Sequence, residues 1–154
     1  MSNKKVKELQ VSAIENGTVI DHISSGSEMQ VVKILNLEAI EDTIYIGANL
    51  ESKKYGKKGL IKVNNKFFKP EEINKIALVS PTATIIEIHD FEVTSKSNVE
   101  VPDHIKGLVK CFNPNCVTNI ENVTTKFDVI DKTDVKLRCI YCEKITAKKN
   151  IVFR

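Results

Sequence analysis

An α+β chain in two unequal parts is predicted from the sequence, and three observations carry the prediction. Apolar residues in the first hundred positions switch between strand and helix spacing in the order β-α-β-β-α-β. The last third has few helical signals and several short β-branched runs. All four cysteines fall in that last third, in two close pairs.

The elements follow in order. Residues 9–14 (LQVSAI) place Leu9, Val11 and Ala13 on one face, as a strand does. GTVIDHI comes next, and then Ser25-Gly26-Ser27-Glu28, which is spelled like a capping box. Val31, Ile34 and Leu35 have helical spacing. TIYIGA (43–48) alternates again, and LIKV (60–63) is strand-like. Pro70-Glu71-Glu72 is a helix start, with proline in the first turn and acids at the positive end of the dipole. Ile73, Ile76 and Ala77 form its apolar stripe, and Ser80-Pro81 stops it. ATIIEI (83–88) and FEV (91–93) are strands with a short connection. This order is the split βαβ of a ferredoxin-like sandwich with one added strand. Two helices then cover one sheet face, and the other face or an edge stays open to a ligand or partner. In the tail, KFDVI, VKLRC and NIVF read as short strands.

The two parts differ in charge, with 13 basic and 14 acidic residues in 1–101 against 10 and 6 in 102–154. Between them Ser95-Lys96-Ser97-Asn98-Val99-Glu100-Val101-Pro102-Asp103 is polar and closed by proline, as linkers are. Domains are therefore expected at 1–101 and 102–154. The net charge of +3 is too mild to argue for nucleic acid by itself. No apolar run approaches the length of a membrane span. MSNKKVKELQ at the start holds no apolar core, so no secretory leader is expected and a cytoplasmic location follows.

In a reduced compartment, clustered cysteines bind metal or do redox chemistry, and two disulfides are disfavoured. Cys111 and Cys116 form C-x4-C, and Cys139 and Cys142 form C-x2-C. Each knuckle turns two thiolates toward one point, which makes a closed tetrahedral site of four sulfurs. One structural Zn2+ per chain is the expected occupant, in an all-β domain of the zinc-ribbon kind. A rubredoxin-like iron and redox-active thiols are the alternatives. A domain this small needs such a staple, because its own core is too small. No ligand position is left open for metal catalysis.

Asp21-His22 is either acid–base chemistry or a turn with a surface carboxylate, and no nucleophile is placed to complete a catalytic set. Lys53, Lys54, Lys57 and Lys58 surround Gly56 and Gly59 in a basic hairpin that holds phosphate or is merely solvated. Lys62 and Lys96 sit on apolar strands, from which a lysine can meet a triphosphate. His89 and His104 read as surface residues. Neither a P-loop nor a dinucleotide fingerprint is present.

QVSAIENGTVIDHI (10–23), GLIKV (59–63), FEVTSKS (91–97) and the C-x4-C tail with LRCIYCEK (137–144) together resemble the regulatory chain of aspartate carbamoyltransferase. The resemblance runs along nearly the whole chain, and the pairing of GTVIDHI with a four-cysteine tail is highly specific. It implies a non-catalytic subunit of pyrimidine biosynthesis that binds nucleoside triphosphates (CTP, ATP, UTP). It implies a regulatory homodimer within a dodecamer of two catalytic trimers and three regulatory dimers. By resemblance, Val11, Ser12, Ala13 and Ile14 meet the base and Asp21 the ribose. His22 and Lys96 meet phosphates, and Lys62 lies near base and ribose. Val19, Leu60, Ile88, Phe91 and Val93 line the pocket. Asn113, Asn115, Tyr141, Glu143 and Lys144 face the catalytic chain. Two residues depart from the pattern: Ser12 stands where a glutamate can occur, and Ile86 where an asparagine can contribute. The rival from another class is a zinc-ribbon nucleic-acid-binding protein using Lys144, Lys148 and Lys149, with neither membrane nor nucleic acid expected under the first reading.

Overall fold

A computed structural model describes residues 13–154. The first part is a five-stranded antiparallel sheet. Its elements are β1 (Gly17–Ser24), α1 (Glu28–Ile34), β2 (Ile44–Ser52), β3 (Gly56–Asn64), α2 (Pro70–Val79), β4 (Thr84–His89) and β5 (Glu92–Asn98). The strand order β2-β3-β1-β4-β5 contains the split βαβ order with β5 added beyond β4. The expected strand at 9–14 lies mostly outside the described residues. Ala13 and Ile14, which are described, are not in a strand.

Strand alternation decides the two faces of this sheet. Ile20 pairs with Ile61 on one side and Ile85 on the other. All three are buried in one core with Val31 and Val32 of α1 and Ile76, Leu78 and Val79 of α2. Each such side chain contributes about 1.5–3 kcal/mol on burial. The adjacent row runs Tyr45, Lys62, Val19, Ile86, Lys96 across all five strands on the opposite face.

Gly17 opens β1 at φ +145, and a Cβ there would lie 2.1 Å from the Val63 carbonyl oxygen. Only glycine lets β1 approach β3 so closely. Pro70 begins α2 as expected, and the Glu72 carboxylate accepts a hydrogen bond from the Lys69 N–H at 3.0 Å. The capping box expected at Ser25–Glu28 does not form. Ser27 makes no side-chain cap bond, and Glu28 instead accepts from the Gly26 N–H at 3.3 Å. Its side chain folds against Gly59, where a Cβ would meet it at 2.2 Å.

The polar stretch at 95–103 is not the free linker its composition suggests. Ser95 to Asn98 belong to β5 and pair with β4, and Val99 donates its N–H to the Ala83 carbonyl at 3.0 Å. Val99 and Val101 are buried, and both join the core. Their apolar side chains outweigh the polar residues around them.

The second part holds β6 (His104–Lys106), β7 (Val109–Lys110), α3 (Val117–Ile120), β8 (Lys126–Asp131), β9 (Lys136–Cys139), β10 (Ile145–Ala147) and β11 (Val152–Phe153). Its sheets are β10-β9-β8-β6 and β11-β7. The three expected tail strands are present as β8, β9 and a shortened β11. β6, β7, β10 and the single turn α3 have two to four residues each, too few to show a period. Among the described residues no helix is long and apolar enough to cross a membrane.

Candidate functional site

Two constellations carry chemistry, and the fold assembles each from separated segments. The first is the four-thiol centre. Cys111 follows β7, Cys116 caps α3, Cys139 ends β9, and Cys142 lies in the turn before β10. Their sulfurs all lie within 4.8 Å of one another. Cys111 and Cys142 are 3.6 Å apart, and Cys116 and Cys139 are 3.7 Å apart. A disulfide requires about 2.05 Å, so these are free thiols. A tetrahedral ion with sulfur at about 2.3 Å sets its ligands about 3.8 Å from one another, and these two separations fit.

The knuckles are shaped by hydrogen bonds to backbone and sulfur. Glu143 adopts a left-handed φ of 63, which closes the second knuckle with its N–H on the Cys139 carbonyl at 2.9 Å. Burial pushes the Cys111 thiol far above its ordinary range, although the Asn113 N–H points at it. Cys139 is likewise raised by burial. Burial also pushes Cys142 up, but donors from the Lys144 N–H and the Asn113 side chain, with the thiols of Cys111 and Cys139, outweigh it and bring Cys142 down to about 7. A thiolate-stabilising site within a buried cluster is what a cation needs.

Four of the residues expected to face a partner, Asn115, Tyr141, Glu143 and Lys144, are exposed on these knuckles. Asn113 is half-buried, with its side chain turned partly toward sulfur. Phe112, Val117, Ile120 and Ile140 are also exposed beside them. Sequence reading missed these four, because in a short domain an apolar residue reads as core.

The second constellation is the open face of the first sheet. Lys62 and Lys96 stand at two ends of an apolar floor made by Val19 and Ile86. They are three strand spacings apart, roughly 14 Å. Leu60 is on the same face of β3, and Ile88 and Val93 are paired on the next row. Burial lowers the pKa of the Lys62 ammonium. Phe91 lies at the β4–β5 turn with φ 66 and donates its N–H to the Glu15 carbonyl at 2.9 Å. Of the expected base contacts, Ala13 is exposed, Ile14 is buried, and Val11 and Ser12 lie outside the described residues.

At the end of this face, β1 bulges between Ile20 and Ile23, and His22 takes a left-handed φ of 55. The bulge turns its ring toward Thr84, with Nδ1 3.1 Å from the hydroxyl. Thr84 in turn donates to the Asn98 side chain at 3.0 Å. His22, Lys54, Tyr55, Thr82, Thr84 and Asn98 line a cavity of about 170 Å³. The basic hairpin therefore divides. Lys54 faces this cavity, and Lys58 is paired with Asp21 at 2.8 Å. Tyr55, Thr82, Thr84 and Asn98 were not legible as site residues, because they come from separate segments with no motif among them.

Two family profiles match this chain. One describes the aspartate carbamoyltransferase regulatory chain, allosteric domain, over residues 9–100, and the other its metal binding domain over 103–152. The chain belongs to the aspartate carbamoyltransferase regulatory chain family. Similar chains named as such regulatory chains occur in Thermococcus sibiricus, 52% identical over 97% of this chain and 98% of that one. One from Pyrococcus horikoshii is 50% identical over 94% and 97% of the two chains. Another from Parabacteroides distasonis is 47% identical over the full length of both. The family is that of the regulatory chain and not the catalytic chain. Within this regulatory chain, the four thiols fall in the metal binding match, and the sheet with its row of cations falls in the allosteric match.

Proposed function

We propose that this regulatory chain senses nucleoside triphosphates on its open sheet face and passes the signal to aspartate carbamoyltransferase catalytic chains. The observation that carries this reading is the row Lys62–Val19–Ile86–Lys96 beside His22. Its apolar floor suits a base and ribose. Its cations, with His22 and Lys54 at one end, suit phosphates. CTP, ATP and UTP are the effectors proposed. Ile86 supplies no hydrogen bond to a base edge, so discrimination among them falls to the backbone and to residues 11–14.

We assign residues 1–101 to the effector domain and 102–154 to a zinc-binding domain that contacts the catalytic chain. One Zn2+ held by Cys111, Cys116, Cys139 and Cys142 supplies rigidity to a domain whose own core is small. Asn113, Asn115, Tyr141, Glu143 and Lys144, with the exposed apolar residues beside them, form the docking face. The assembly proposed is a cytoplasmic dodecamer of two catalytic trimers joined by three regulatory homodimers. Of the three lysines the nucleic-acid reading would use, Lys144 and Lys149 are exposed, and Lys148 is half-buried near Asp134.

Calorimetry on the assembled complex tests the effector site. Lys96→Ala is expected to weaken triphosphate binding about tenfold, roughly 1.4 kcal/mol, without dissociating the complex. An unchanged affinity would remove Lys96 from the site.

A further inference from the structure

The four thiols account for the ligands of the metal centre but not for the groups behind them. Cys116 is 1% exposed, so charge gathered on its sulfur is poorly screened by solvent. A second buried polar group meets it there. The Thr118 hydroxyl lies 3.2 Å from Cys116 Sγ, and Thr118 is itself only 5% exposed. A thiolate bound to a cation has no proton to give, so in the loaded site the hydroxyl is the donor. The β-branched side chain has few rotamers, so its hydroxyl is held in place.

The same helical turn is fastened on its other side. The Asn119 amide Nδ2 donates to the carbonyls of Cys111 at 2.9 Å and Asn113 at 2.7 Å. Asn119 also donates its backbone N–H to the Cys116 carbonyl at 2.9 Å. The turn α3 thus ties both cysteines of the C-x4-C knuckle. Thr118 acts on sulfur, and Asn119 acts on backbone.

We propose that Thr118 is a positioning residue of the metal centre, whose hydroxyl donates to the Cys116 thiolate, orients it and draws charge from it. This rests on the metal reading above. A hydrogen bond to a bound thiolate stabilises its lone pair and offsets part of the negative charge that four thiolates leave on the ion. Removing the donor while keeping the shape leaves that charge less compensated in a buried site.

The test uses the full chain, cobalt(II) alone as the probe, and the variants T118V and T118S. T118V keeps the volume and removes the hydroxyl. Competition against a chromophoric chelator is expected to show 10–100-fold weaker cobalt binding in T118V. The thiolate-to-cobalt charge-transfer band is expected at longer wavelength, because the sulfur lone pair rises. T118S is expected to restore both. A purely structural threonine would not move the band. Should T118V fail to fold, T118A against T118S gives the same contrast, with the band moving only in T118A. A variant lacking the hydroxyl that binds cobalt within twofold of the parent, with a superimposable band, overturns the inference alone. A parent chain that takes up no cobalt overturns the metal reading and this inference together.

Discussion

His22 shows how one backbone angle sets a site. Its left-handed φ sits at a break in the β1–β3 register, and the break turns the ring to Thr84 and the cavity instead of into the ladder. Gly17 works in the opposite sense, because its missing Cβ lets the strand close on Val63. Gly17→Ala is expected to destabilise the fold by about 2 kcal/mol or more, read from the denaturant midpoint, since backbone must move on both strands. The thiols give a pH dependence with a definite sign. Burial holds Cys111 and Cys139 protonated at neutral pH in the metal-free chain, and Cys142 titrates at about 7. Cation uptake must therefore release protons, and apparent affinity must fall as pH falls. Chelator competition between pH 6 and 8, roughly the range around the Cys142 value, is expected to show tighter binding at each higher step. A flat profile would mean the thiols are not the ligands.

At the scale of elements, legibility in the sequence followed length and locality. TIYIGA and Pro70-Glu71-Glu72 could be read because a strand period of two and a proline-led helix start are local signals, whereas GTVIDHI, buried on both faces at its start, shows no such period. β6, β7 and β10 could not, because three or fewer residues carry no period and are held by their neighbours and by the knuckles. The cysteine cluster was legible from spacing alone. The cavity around His22 was legible only through His22 and Lys54, since Thr84 and Asn98 reach it through sheet register and Thr82 from the turn before β4, where its hydroxyl donates to the His22 carbonyl. Ser27 was misread because Glu28 finds a backbone donor before it and a glycine to lie against, a tertiary contact with no local signal. The linker was misread because polar composition hid Val99 and Val101, which are buried. That burial has a consequence for coupling. Val101→Ala is expected to shrink the effect of nucleotide on the catalytic chains while leaving nucleotide affinity for the sheet within twofold. Paired calorimetry and rate measurements on the assembled complex check this. At the core of the sheet, Ile20→Ala is expected to cost about 2–5 kcal/mol, measured by chemical unfolding, because Ile20 is fully buried between two neighbouring strands.

For the whole molecule, the proposed division between a cation-lined, effector-binding sheet and a sulfur-held docking end makes two responses separable. Stripping the metal is expected to release the catalytic chains, seen as separate peaks in size-exclusion chromatography, because the tail loses its staple. Stable co-elution after verified stripping would place the contact elsewhere. The proposed effectors would act through a third property. A nucleotide can move the catalytic chains only by binding two quaternary states with different affinity, and the coupling is expected to be about 1–3 kcal/mol. Linkage makes that coupling reciprocal. The most direct measurement is therefore titration of CTP, and separately ATP, into the assembled complex with and without a saturating unreactive substrate analogue. For at least one nucleotide the affinity should change by the same factor by which that nucleotide changes analogue affinity, about 5–150-fold. Identical affinities in both conditions for both nucleotides would contradict the account.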